Sequence, residues 1–148
     1  MSFRRWALVL LLASASAEAT AQTHNTIWQA QVLGTRANSH FIGVGMGLGR
    51  RAGGRLSYQL SLTPGLVDRT FALRSEGILA FSLDPARRDG VSPYGGGGIA
   101  ALFEAESADA FLVLLIGVES APQAASGWFA EIGVGGGVRG SVGWRLRR

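Results

Sequence analysis

The chain of 148 residues has no cysteine, no lysine and only two histidines. Without cysteine it can build neither a disulfide framework nor a thiolate metal site. Glycine runs are present, but no lysine follows them, and they match neither the dinucleotide-binding nor the phosphate-loop pattern. The histidines are His24, near the amino end, and His40, beside a turn. Ser39 precedes His40 directly, so in an extended chain the two side chains point to opposite faces and cannot form a nucleophile and base pair. Long apolar runs are also missing. The stretch from Trp6 to Ala13 falls far short of the ~20 residues that a spanning helix needs. Fourteen arginines against ten acidic residues give a formal charge of +4. The arginines are scattered singly or in short pairs, which is not the footprint of a nucleic-acid binder.

What the chain does have is glycine, 22 residues of it, inside the apolar segments as well as between them. That argues against a helical core. The clearest segment is 55–63, where Leu56, Tyr58, Leu60 and Leu62 alternate with Ser57, Gln59 and Ser61. A period of two marks a strand with one apolar and one polar face. Seven further stretches read the same way: 28–36, 41–50, 71–83, 94–103, 111–119, 128–135 and 138–147. In 41–50, Ile42, Val44, Met46 and Leu48 alternate with four glycines. A bare face of that kind fits where side chains from opposite walls of a narrow barrel would collide. Segment 111–119 is apolar on both sides; period alone cannot orient it, and it could also be a short buried helix. Pro64-Gly65 and Asp84-Pro85 read as strand stops.

The amino end has Arg4 and Arg5, the apolar run, and then Ala19-Thr20-Ala21. This is the layout of a secretory signal peptide cleaved after Ala21, leaving residues 22–148 as a single domain. The expected fold is all-β: an eight-stranded antiparallel up-and-down transmembrane barrel. Strands of about 9–11 residues suit a tilted crossing of a bilayer, and in lipid a sheet must close so that each backbone amide has a partner. With both termini in the periplasm, Trp28, Phe81, Tyr94, Trp128 and Trp144 fall near the inner rim, and Phe41, Phe71, Phe103 and Phe111 near the outer one. Two aromatic belts are what a spanning barrel presents to the two interfaces. Arg55, Arg74, Arg139 and Arg145 lie on the polar faces with Glu76 and Glu131, and Glu119 is a further candidate. Isolated charges there would be costly, so a paired network inside the lumen is expected, with Glu131 near Arg139 or Arg145.

Taken with Pro93-Tyr94-Gly95-Gly96-Gly97-Gly98 and Trp128-Phe129-Ala130-Glu131, these features make the chain from Thr26 onward resemble the small outer-membrane barrels of the outer-membrane protein A or X type. In that family the last strand carries an insertion signal for the assembly machinery, and Ser141, Gly143 and Leu146 match it. Arg148 stands where the terminal aromatic is usual. The resemblance implies a bilayer and lipopolysaccharide as surroundings. Family members have long outer loops, which carry adhesion and receptor contacts, whereas here the outer connections are short. Some eight-stranded relatives are lipid A deacylases that use serine, histidine and an acid, a set this spacing does not provide. Glu104, Glu106 and Asp109 form an acidic turn with too few ordered oxygens for a calcium site. The sequence therefore points to a structural envelope barrel, with no catalysis, cofactor or metal expected. Its rival is a soluble periplasmic barrel holding an apolar ligand, which needs Val44, Leu56, Leu60 and Val142 inside.

Overall fold

A computed structural model describes residues 26–148. The expected signal peptide, its cleavage point and His24 lie outside the described residues. Eight strands follow one another: β1 (Thr26–Arg36), β2 (His40–Arg51), β3 (Leu56–Val67), β4 (Thr70–Ser82), β5 (Val91–Phe103), β6 (Ala108–Ser120), β7 (Ser126–Val134) and β8 (Val138–Arg147). Each pairs antiparallel with the next, and β8 pairs with β1 from Ile27↔Arg147 to Arg36↔Val138, so the sheet closes. At one end the first and last described residues meet, with Thr26 and Arg148 exchanging backbone hydrogen bonds of 2.9 and 3.0 Å. We call this the terminal end and its opposite the distal end.

Several strands are longer than the sequence pattern suggests. β3 runs through Pro64-Gly65 instead of stopping there. Pro64 has no N–H to give, and the β2–β3 ladder lapses opposite it, between Gly43↔Gly65 and Met46↔Leu62, while β4 pairs without a break. The hairpin then turns on Asp68 and Arg69 alone, with φ of 45° and 79°. Positive φ at both central residues gives the turn whose twist matches its strands, and aspartate tolerates that region well. β5 starts earlier than Tyr94 and passes through Pro93.

Alternation fixes the faces. On the outer wall, Ile42, Val44, Met46, Leu60, Leu62, Leu79, Ile99, Ile116 and Val142 are exposed. β6, which period could not orient, turns Leu112 outward at 80% exposure and Val113 inward at 1%. Inside, an apolar cluster of Leu33, Phe41, Val67, Ala72 and Leu102, with Phe111 packed against it, fills the distal end. A second one of Ile78, Ala80, Tyr94, Ala100, Val113 and Leu115 lines the β4–β5–β6 wall. Gln29, Gln31, Ser57, Gln59, Ser61 and Thr63 occupy the polar side.

The bare face of β2 has a more local cause than collision across the lumen. A Cβ on Gly45 would run into the Thr63 side chain and the Leu62 carbonyl of the adjacent strand. The wall bends there so tightly that neighbouring strands crowd each other. Gly98 on β5 meets the same limit, since its Cβ would strike the backbone carbonyl of Gly77. Gly77 itself faces outward, and a Cβ there would meet only Leu60 Cδ2 at 3.4 Å. Gly98→Ala should therefore reduce the yield of folded barrel, because backbone cannot move aside as a flexible side chain can. Gly77→Ala should fold like the parent chain, and heat-modifiable gel mobility distinguishes the two.

Candidate functional site

Inward positions of β2, β4, β6, β7 and β8 carry the charges, and closure brings them onto one axis. Nearest the distal end, Arg74 donates through Nε to Glu76 at 2.8 Å and through Nη2 to the Gly135 carbonyl at 2.8 Å. Arg139 grips both oxygens of Glu76, from Nε at 3.1 Å and Nη2 at 2.8 Å, the two-pronged geometry that suits guanidinium and carboxylate. Its Nη1 donates to Glu131 at 2.9 Å. Glu131 also accepts from Ser141 Oγ at 2.9 Å, Tyr94 Oη at 2.6 Å and Arg145 Nη2 at 3.1 Å. Arg145 continues the chain to Glu119 at 3.1 Å. Glu119 in turn takes Arg147 at 2.7 Å and lies 3.9 Å from Arg51 at the terminal mouth. Positive and negative groups thus alternate along the barrel.

Arg145 is fully enclosed. Its guanidinium lies over the Phe129 ring at 4.1 Å and the Tyr94 ring at 5.0 Å, where cation–π attraction offsets part of the lost hydration. Gln59 accepts from its Nη2 at 3.2 Å. The gap among Ile27, Ser57, Gln59, Tyr94, Glu119 and Arg145 has no room for a water molecule. Two surface depressions of about 980 and 840 Å³ lie on the apolar outer wall, among Val32, Ile42 and Ile132 in one and Met46, Leu60 and Leu112 in the other. What the lumen can do chemically is hold charge in place. Among the described residues, the hydroxyls that donate to these carboxylates are those of Tyr94 and Ser141, both to Glu131.

Of the residues expected to form a network, Arg74, Glu76, Glu131, Arg139 and Arg145 converge, together with Glu119. Arg55 does not. It is exposed just before β3, with its guanidinium 5.9 Å from the Phe81 ring. Tight Gly53-Gly54 turn geometry begins the strand one residue later than expected, leaving Arg55 outside the alternation. Among the aromatics, Trp28, Phe81, Trp128 and Trp144 are on the outer wall toward the terminal end, and Trp128 and Trp144 pair across β7 and β8. Tyr94 is a correction: it is 4% exposed and points inward, because its phase on β5 is that of Ser92, Ala100 and Leu102. Phe41 and Phe111 likewise face the lumen, whereas Phe71 and Phe103 face out. Arg51 and Arg147 were missed. The signal was their phase, since Arg147 is two residues beyond Arg145 and Arg51 two beyond Gly49. His40 and Ser39 are exposed at the distal end. Glu104 and Glu106 lie in the distal 104–107 turn, and Asp109 is exposed on β6.

No protein-family model matches the chain, and no curated protein matches it by sequence. Among solved structures, it is similar to the N-terminal β-barrel domain of Pseudomonas aeruginosa OprF, with a TM-score of 0.59 and 14% identity over 86% of this chain and 100% of that one. Neisserial surface protein A (NspA) aligns with a TM-score of 0.56 and 16% identity, over 83% and 96% of the two chains. The chain has the fold of a small outer-membrane barrel. At these identities the likeness is one of backbone, so the charged lumen has to be understood from this barrel's own side chains.

Removing one member of the network should be costly, because its partners stay buried. Glu76→Ala leaves buried Arg74 with no carboxylate and Arg139 with Glu131 alone, and should lower stability by about 3–5 kcal/mol, while Arg55→Ala changes it little. Urea unfolding of the refolded protein in lipid vesicles measures both.

Proposed function

We propose that the protein is an integral outer-membrane barrel with a structural role in the envelope, closed to solutes and without catalytic activity. The observation that carries this reading is the division between the two faces of the sheet. Val44, Leu56, Leu60 and Val142, which a soluble ligand carrier needs inside, point outward at 66, 42, 65 and 57% exposure. A continuous exposed apolar wall of that extent is stable in hydrocarbon and unstable in water. The side facing the axis is filled with paired charges, amides and two apolar clusters, which supports a plug and not a channel.

On this reading Trp28, Phe81, Trp128 and Trp144 sit at the headgroup level of the leaflet nearest the termini, joined by Tyr58, which is also outward. The bilayer and lipopolysaccharide surround the wall. The chain is exported through residues 1–21, and the pattern of Ser141, Gly143 and Leu146 on β8 addresses it to the assembly machinery. Short distal turns of 37–39, 68–69, 104–107 and 135–137 leave little surface for receptor contacts.

Cell fractionation tests the reading. The protein should stay with outer membranes through a carbonate wash, and the purified barrel should give no conductance steps in a planar bilayer. Release into the soluble periplasm or steady channel activity would overturn it. The lipid-facing assignment has its own test in Met46→Arg, a charge placed midway along β2. It should destabilise the barrel in bilayers by roughly 2–4 kcal/mol in urea titrations, as for arginine at the bilayer midplane.

A further inference from the structure

The buried charges do not balance evenly along the axis. In the distal half, Arg74 and Arg139 face Glu76 and Glu131. Toward the terminal mouth, Arg145, Arg147 and Arg51 share one carboxylate, Glu119. Arg145 is also held by Glu131, but that carboxylate is already matched by Arg139. Two positive charges are therefore in excess at the mouth. Beside them is a cavity of about 270 Å³ lined by Ile27, Arg51, Arg147 and the β6–β7 loop from Pro122 to Ala125. Among the described residues, no acidic side chain lines it.

Arg147 and Arg51 are only 10% and 13% exposed at the side chain, so bulk water hydrates neither of them freely. Arg147 spends its Nη1 on the Ala121 and Ala124 carbonyls and its Nη2 on Glu119. Its buried Nε–H has no partner among the described residues. An orphaned charged donor of this kind is expensive unless an acceptor arrives. We infer that the terminal mouth is a binding site for a phosphate group, held by Arg147 and Arg51 under the 121–125 loop. A phosphate monoester carries close to the two negative charges that the mouth lacks, and guanidinium is suited to its oxygens. The group can come from a free phosphate or from the headgroup of a lipid in the adjoining leaflet.

The test uses protein purified from membranes in dodecyl maltoside. The temperature at which the folded gel band is lost is followed against inorganic phosphate, with chloride as the control at matched ionic strength. A saturable upward shift is expected, since a ligand bound to the folded state alone stabilises it by mass action. Arg147→Gln should weaken the apparent affinity roughly tenfold or more, the loss of one charge-assisted hydrogen bond. Arg51→Gln, at the rim, provides the same reading if Arg147→Gln does not fold, and Arg55→Gln should leave the affinity unchanged. In a second arm, phosphatidylcholine vesicles with and without phosphatidic acid replace the detergent. Stabilisation by phosphatidic acid that depends on Arg51 and Arg147 assigns the site to a headgroup; stabilisation by inorganic phosphate alone assigns it to a solute. No phosphate-dependent shift in either arm overturns the inference. So does a shift that the two arginine variants share undiminished with the parent.

Discussion

Four donors from two other strands converge on the carboxylate of Glu131: Arg139, Ser141 and Arg145 of β8 and Tyr94 of β5. That convergence ties the distal half of the lumen to the terminal half and joins β7 to β8 beside it and to β5 two strands away. It also sets a condition on folding. Glu131 is 5% exposed at the side chain, and an unpaired carboxylate there would cost several kcal/mol. The charges are acceptable only when the sheet has closed with each strand in register. A slip of one strand by one residue would turn that strand's members of the network to the outer wall.

Large groups on the axis need space, and the glycines provide it. A Cβ at Gly117 would touch the Tyr94 ring at 2.7 Å, and one at Gly143 would touch Phe129 at 2.8 Å. Tyr94 and Phe129 are the two rings that enclose Arg145. Glycine content and buried charge, which look unrelated in the composition, are thus two sides of one packing problem. A narrow barrel can hold an arginine ladder only if the wall beside each large side chain is bare.

Most of this was legible because alternation is a strong code. The parity of residues in β1, β2, β3 and β8 separates wall from lumen without any tertiary information. Parity failed where an aromatic was treated as a rim marker regardless of phase. Tyr94, Phe41 and Phe111 stand near strand ends, as belt residues do, but their phase points them inward. Proline misled in the opposite sense, since Pro64 and Pro93 are tolerated inside strands once their missing donor coincides with a gap in the ladder or an end of it. The pairing itself was open to reasoning only as far as neighbouring strands. Glu76 with Arg139 joins β4 to β8 across the lumen, and no local pattern specifies a contact over that separation.

Shared fold at 14–16% identity has a physical reading too. Closure and an oily exterior require only that apolar residues recur at every second place, and many sequences satisfy that. The lumen is less permissive, because each buried charge needs a particular partner at a particular height. Differences between barrels of this fold should therefore concentrate inside and at the mouths. In this chain the wall follows that generic pattern, while arginine and glutamate are placed unevenly along the axis. The terminal mouth is where the pairing runs out of carboxylates. A purely structural plug gains nothing from two surplus guanidinium groups held near one Glu119, and burying them raises the free energy of the folded state unless something anionic offsets it.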